Sequence, residues 1–268
     1  MSGLDDTARR RVEALLTRID TARPGLLRGL YLVGSIALDD YRPGRSDIDF
    51  VATLAAPPGP EDLDALERIH AILATEPGPA LDGVYLEEDA LTRRPESDRP
   101  VPYHLDGRFH RWAPCYEVNP VTWTVLAEHG VTLRGGPAGG IVRRPSPEAL
   151  AGFQRANLAC YWHGWTGDLS AVLAAKAPGD TVDTEALTWG VLGIARLGCG
   201  LAAGRIVSKT AAGRWALDAL PGPWSGVIED CLAVRRGERR SFRTDHGRLG
   251  LAFMQAIAAC AGGHPSEA

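Results

Sequence analysis

The chain has 268 residues, of which 45% are hydrophobic and 23% charged, and its formal net charge is −4. This allows one large or two modest globular domains with a sizeable core, and the mild acidic excess argues against a duplex nucleic-acid partner. Five scattered cysteines with no Cys-x-x-Cys pair, a charged amphipathic N-terminus and apolar stretches read as short of the ~18–20 residues of a span lead us to expect reduced thiols, a cytoplasmic location and no membrane segment.

Leu4 to Ala22 reads as a helix with Val12, Leu15, Leu16 and Ile19 on one face. Gly29 to Val33 is a strand that stops at Gly34-Ser35. After a polar loop, Asp47 to Leu54 is a second strand, antiparallel or mixed with the first. Strand side chains alternate, so Ile48 and Phe50 share one face, and Asp47 and Asp49 the other. Two carboxylates side by side on a rigid element repel unless something positive lies between them.

Pro57 to Pro60 is a turn, and Glu61 to Glu76 a helix with Leu63, Leu66, Ile69 and Leu73 in register. Ala80 to Leu86 is a third strand, carrying Asp82. Glu87 to Asp106, rich in Arg, Pro and Asp, is expected to be irregular. Val118 to Gly130 regains a helical period. Gly135–Gly140 and Arg143–Pro147 hold the densest breakers, which sets an expected boundary between domains 1–146 and 147–268. Beyond it the predicted helices are Glu148–Trp165, Thr184–Ala203, Lys209–Leu220, Ser225–Arg236 and Asp245–Ala261. Gly204 is the expected stop of the second and Ser208 the N-cap of the third. The expected fold class is α+β, a mixed α/β N-terminal domain followed by an α-helical bundle.

The chemistry concentrates around the second strand. A glycine at position 34 lets backbone N–H groups approach a phosphate, and the Ser35 hydroxyl adds a donor. Asp47 and Asp49 are hard oxygen ligands that suit Mg²⁺, which prefers one or two carboxylates plus substrate phosphates. A third acid is needed near an acceptor hydroxyl, and Asp82 is the first candidate, with Glu87 as the alternative.

Gly34-Ser35 followed by Ser46-Asp47-Ile48-Asp49 resembles the nucleotidyltransferase superfamily related to DNA polymerase β. Leu187 to Pro221 is similar to the C-terminal helical domain of the streptomycin/spectinomycin 3''(9)-O-adenylyltransferases. There a helix carrying Arg196 is followed by Gly204-Arg205-Ile206-Val207-Ser208-Lys209. The resemblance implies transfer of AMP from ATP, with Mg²⁺, to a hydroxyl of a small cationic aminoglycoside or aminocyclitol, releasing pyrophosphate. It implies metal on Asp47 and Asp49, triphosphate contacts from Gly34, Ser35, Ser46, Arg196 and Lys209, and Asp82 as base. It also implies a helical domain that closes over nucleotide and acceptor. Trp112, within Phe109-His110-Arg111-Trp112, matches a tryptophan that lines the family's drug site.

Five places depart from the family. Asp82 stands where the family has the longer Glu. An Asp and a His that contact the drug fall at Ala186 and Trp189, leaving Trp189 as a second candidate substrate contact. The Trp and Asp associated with streptomycin fall at Ala177 and Val182. Spectinomycin is therefore expected in preference to streptomycin. A different acceptor, or a catalytically silent nucleotide-binding module, are the rival readings.

Overall fold

The computed structural model describes residues 4–262. The chain divides into two compact units, Met1–Ser146 and Pro147–Ala268. The first is a mixed α/β unit built on one sheet, and the second is almost entirely helical.

In the first unit α1 spans Asp6–Ala22. It starts two residues later than its period suggested because Asp5 serves as the cap, accepting from the N–H groups of Thr7 and Ala8 at 2.9 and 3.2 Å. Its buried face is Ala8, Val12, Leu15 and Ile19, the spacing of one helical stripe. Next come β1 (Leu27–Leu32), a single turn α2 (Gly34–Ala37) and β2 (Ile48–Leu54). Helix α3 (Pro60–Thr75) opens on a proline, and the Asp62 carboxylate accepts the Gly59 N–H at 2.9 Å. Strand β3 (Leu81–Glu87) follows.

The segment expected to be irregular is largely ordered. After one 3₁₀ turn at Glu88–Thr92 it forms β4 (Pro100–Leu105), which pairs antiparallel with β5 (Arg108–Pro114). Asp106 and Gly107 join them with φ of +50° and +74°. Both centres of this two-residue turn are left-handed, as a type I′ hairpin requires. The unit ends with α4 (Pro120–His129), β6 (Val131–Arg134) and the short α5 (Ala138–Ile141).

The sheet order is β5-β4-β3-β2-β1-β6. β1 and β2 are antiparallel, and β2 and β3 are parallel, which demands a crossover that α3 supplies. Leu30, Leu32, Ile48, Phe50 and Leu54 pack with the apolar faces of α1 and α3 to form one core.

The second unit opens with α6 (Pro147–Asn157), which runs through a π-helical turn at Leu158–Trp162 into α7 (His163–Ala174). The helix predicted to end at Trp165 is thus longer and bulged. A two-stranded ribbon pairs β7 (Thr181–Val182) with β8 (Phe242–Arg243). Helix α8 spans Thr184–Ala203, capped by Asp183 and ended by Gly204 in the left-handed region at φ +65°. Helix α9 (Lys209–Ala219) starts on Ser208, whose hydroxyl accepts the Ala211 N–H at 3.2 Å. Helices α10 (Ser225–Arg235) and α11 (Thr244–Gly262) complete the unit.

Helix α8 corrects one expectation, because its 20 residues at a mean hydropathy of 1.4 are long and apolar enough to cross a membrane. Here that composition lies at the centre of the bundle: Leu187, Val191, Leu192, Ile194 and Ala195 are buried in one cluster with residues of α9, α10 and α11.

Candidate active site

Strand β1 delivers Gly34 directly against the start of β2, where the Val33 N–H donates to the Asp49 carbonyl at 3.0 Å. Gly34 has φ +57°, and a Cβ placed on it would lie 1.7 Å from Asp49 Oδ2. The glycine is required twice, by conformation and by the carboxylate resting on its backbone. The adjacent Ser35 Oγ is buried with no hydrogen-bond partner.

Ser46 is buried and has a local job. Its Oγ accepts the Arg42 N–H at 3.1 Å, and its own N–H donates to the Arg42 carbonyl at 2.9 Å. These two bonds close the loop that leads into β2. The same loop holds a carboxylate that sequence reasoning passed over, Asp40, which is 3% exposed and 3.3 Å from the Arg42 guanidinium. Burial raises the Tyr41 phenol above its ordinary value, and the nearby charges of Asp5 and Asp47 add to the rise.

Asp47 is exposed at the edge of the site and Asp49 is half-buried. Parallel pairing of β2 and β3 puts Asp49 directly opposite Asp82. Side chains in register on adjacent strands share a face, and the strands are about 4.8 Å apart. Asp82 is 7% exposed, and its Oδ1 is buried without a hydrogen-bond partner. Gly34, Ser35, Asp47, Asp49 and Asp82 are therefore gathered at one end of the β1–β2–β3 sheet.

Glu87 is not among them. It ends β3 opposite Leu54, five residues or about 16 Å of strand from Asp82, and pairs with Arg99 at 3.3 Å. Trp112 lies towards that same far end. It is 52% exposed on β5 and lines a pocket with Tyr85, Glu87, Arg99 and Trp123. Within this unit it is not brought to the aspartates.

The fit to a divalent cation rests on the donor set. Carboxylates sharing one sheet face, one with an orphaned buried oxygen, beside an unpartnered serine hydroxyl, favour a cation and phosphate oxygens. Among the described residues no three His, Cys, Asp or Glu side chains form a ready-made cage. The carboxylate oxygens of Asp47 and Asp49 are the hard donors Mg²⁺ takes, with waters and substrate oxygens filling the rest of its shell.

In the second unit, Trp189 and Arg196 lie seven residues apart on α8, on one stripe of the helix. Trp189 is 38% exposed and stacks on Trp162 at 5.2 Å and 25°. Trp165 and Tyr161 complete the cluster at 5.9 and 6.2 Å. The Lys209 amine lies 5.9 Å from the Trp189 ring centre, within cation–π range. A Cβ on Gly190 or Gly193 would stand 2.3 or 2.7 Å from the rings of Trp165 and Trp162, so these glycines let the indoles lie flat on the helix. The π turn at Leu158–Trp162 shifts Tyr161 and Trp162 by one residue relative to a regular helix.

Residues 13–97 match the family described as "Nucleotidyltransferase domain", and residues 168–258 match "Aminoglycoside adenylyltransferase, C-terminal domain". No curated protein matches the chain. Among solved structures, the chain is similar to spectinomycin adenyltransferase AAD(9) from Enterococcus faecialis, determined with ATP and spectinomycin. The TM-score is 0.70 at 10% identity, over 94% of this chain and 99% of that one, a likeness of fold.

Proposed function

From its membership of the aminoglycoside adenylyltransferase family, a nucleotidyltransferase domain followed by that family's C-terminal domain, we propose that the chain transfers AMP from ATP to a hydroxyl of an aminocyclitol antibiotic. The observation that carries this reading is the register of Asp49 with Asp82, on the end of the sheet where Gly34 admits the Asp49 carboxylate.

Asp82 takes the proton of the acceptor hydroxyl. The freed oxygen bonds to the α-phosphorus, the bond from that phosphorus to the bridging α–β oxygen breaks, and pyrophosphate leaves. Ser35 donates to the triphosphate through its unpartnered hydroxyl, Gly34 leaves its backbone open to it, and Ser46 holds the loop. Asp47 and Asp49 are the residues to hold Mg²⁺, which when bound supplies positive charge against the charge developing on the phosphoryl oxygens. Arg196 offers a planar fork and Lys209 a point charge to the remaining phosphates. ATP as co-substrate fits a cytoplasmic enzyme.

The acceptor preference follows from which carboxylates are engaged. Asp180 accepts the Ala177 N–H at 2.8 Å, and Asp183 accepts the Ala186 N–H at 2.9 Å. Both serve the backbone at the entry to α8. Trp189 stands where a charge-assisted drug contact is expected. Streptomycin, with strongly basic guanidinium groups, finds little to pair with there, and a site without the needed polar contacts discriminates steeply. Spectinomycin is smaller and asks for fewer contacts. The exposed Tyr161 and Trp189 rings favour, as a second reading, a ring-bearing natural-product intermediate as acceptor.

The test is pyrophosphate release from ATP and Mg²⁺ with spectinomycin, streptomycin and other aminocyclitols supplied separately, plus mass spectrometry for an AMP adduct. Adducts forming as readily on streptomycin as on spectinomycin would overturn the acceptor assignment. No pyrophosphate release with any of them would overturn the antibiotic as acceptor and leave another acceptor or a catalytically silent module.

A further inference from the structure

A buried polar column lies behind Asp82, and the reaction as described makes no use of it. His104 on β4 is 6% exposed, as enclosed as Asp82 itself at 7%. Its Nδ1 is 2.8 Å from the Leu81 carbonyl oxygen and 3.5 Å from Asp82 Oδ1. A carbonyl only accepts, so Nδ1 carries the proton. At 3.5 Å the approach to Asp82 is electrostatic and not a formed hydrogen bond, in keeping with the unpartnered state of Oδ1.

The imidazole is also locked from behind. His70 on α3 stacks on it with ring centres 4.2 Å apart and planes 11° apart. His70 Nε2 is in turn 2.7 Å from the Tyr85 hydroxyl, and Phe109 packs on His70 at 5.8 Å. This clamp fixes where the His104 N–H points. Catalytic hydrogen bonds are commonly long before substrate binds and tighten in the working complex.

We propose that His104 is the positioning residue for Asp82, sharing its Nδ1 proton between the Leu81 carbonyl and Asp82 Oδ1 so that Oδ2 faces the acceptor hydroxyl. The inference rests on the reading of Asp82 as the base. The acceptor proton passes to Oδ2, and His104 keeps its own proton throughout. The device also answers the shorter side chain at this place: with the carboxyl group drawn back towards the strand, its orientation must be fixed by a neighbour.

Two substitutions separate positioning from packing. His104→Phe keeps a flat ring on His70 and removes the donor. His104→Asn keeps an N–H near the Nδ1 position and removes the ring. With spectinomycin, ATP and Mg²⁺, we expect His104→Phe to lower kcat about 10- to 100-fold, the range for losing one hydrogen bond to a charged group. KM for ATP should stay within about twofold, and His104→Asn should recover most of kcat. The opposite order, with Phe active and Asn impaired, would mean that the ring only packs and would overturn the proposal.

A readout independent of any acceptor is the imidazole Nδ1–H resonance of His104. It should move when Asp82→Asn turns a charged acceptor into a neutral one, and an unchanged resonance would remove the contact. Asp82→Asn also tells the two failures apart. Full transfer in that variant sinks the base itself, whereas a silent Asp82→Asn beside a fully active His104→Phe sinks only the role of His104.

Discussion

Replacing Gly34 by Ala tests whether the observed seat of Asp49 is the working one. The new Cβ would stand 1.7 Å from Asp49 Oδ2, 2.5 Å from Cγ and 2.9 Å from Cβ. Turning the carboxylate cannot relieve this, since the Asp49 Cβ itself is too close. Ordinary contact begins at 3.4 Å, so Asp49 or the Gly34 backbone must give way by more than an ångström. A displacement of that size at a reacting centre costs on the order of 100-fold in rate. Alanine also carries about 1–2 kcal/mol of strain in the left-handed region. Gly44 provides the control, because it has φ +74° and nothing within 4 Å of where a methyl group would stand. Gly44→Ala should lower the unfolding midpoint by a few degrees, about 2–4 °C per kcal/mol in a chain of this size, and leave transfer nearly intact. Gly34→Ala should show at least that thermal loss together with a turnover reduced about 100-fold. Thermal melts and initial pyrophosphate-release rates on the two variants decide it. Gly34→Ala keeping more than about a tenth of wild-type turnover would refute the reasoning from that ångström-scale displacement.

Asp82→Asn should abolish transfer while ATP still binds by calorimetry, and Glu87→Gln, at the far end of β3, should change turnover little; the reverse would place the base at the wrong end of the strand. Lys209→Ala should weaken ATP binding about 10–100-fold, the range for one charge-assisted contact, and equal affinity in the variant would remove Lys209 from the nucleotide site. His70 carries an acid-stability signature: burial holds its imidazole well below the ordinary 6.5, with the neighbouring His104 and Arg11 adding to the effect. The unfolded chain therefore binds the extra proton as pH falls below about 6.5, so this contribution is complete above that value and is lost on acidification by up to about 1.4 kcal/mol per pH unit. Urea midpoints should accordingly fall less steeply from neutral to mildly acid pH in His70→Gln than in the wild type, and parallel curves would contradict the assignment.

Much of the fold was legible because local chemistry and tertiary structure agree. Helix α8 spans the residues its period marked, with Asp183 and Gly204 as its ends, and α9 begins at the serine that caps it. The alternation Asp47-Ile48-Asp49-Phe50 survives as an exposed and a buried face. The β4–β5 hairpin was missed for a definite reason. Its Arg- and Pro-rich approach reads as irregular, although the Asp106-Gly107 pair is itself a strong hairpin signal. The meeting of Asp49 with Asp82 depends on the parallel register that α3 imposes, and nothing local to either residue encodes it. The same limit applies to His104. Its partners come from α3 and β3, at sequence distances of 34, 23 and 22 residues for His70, Leu81 and Asp82, and its own strand lies in a stretch whose composition predicts irregular structure. The placement of Trp112 was likewise hidden, because a four-residue motif does not say how far along an edge strand it will sit.

The shared face of Asp49 and Asp82 bears on how this protein can evolve. Two acids held in register, one of them buried with an oxygen unsatisfied, are an arrangement that selection for robustness alone would remove. Neutralising Asp82 removes a buried charge whose Oδ1 has no hydrogen-bond partner, so an inactive Asp82→Asn variant should melt higher than the active enzyme. Stability and activity then pull this position in opposite directions, as they do wherever a site stores unfavourable charge for use. Random mutation screened for thermal resistance should return Asp82, and a lineage released from the need for transfer should lose it before it loses its core.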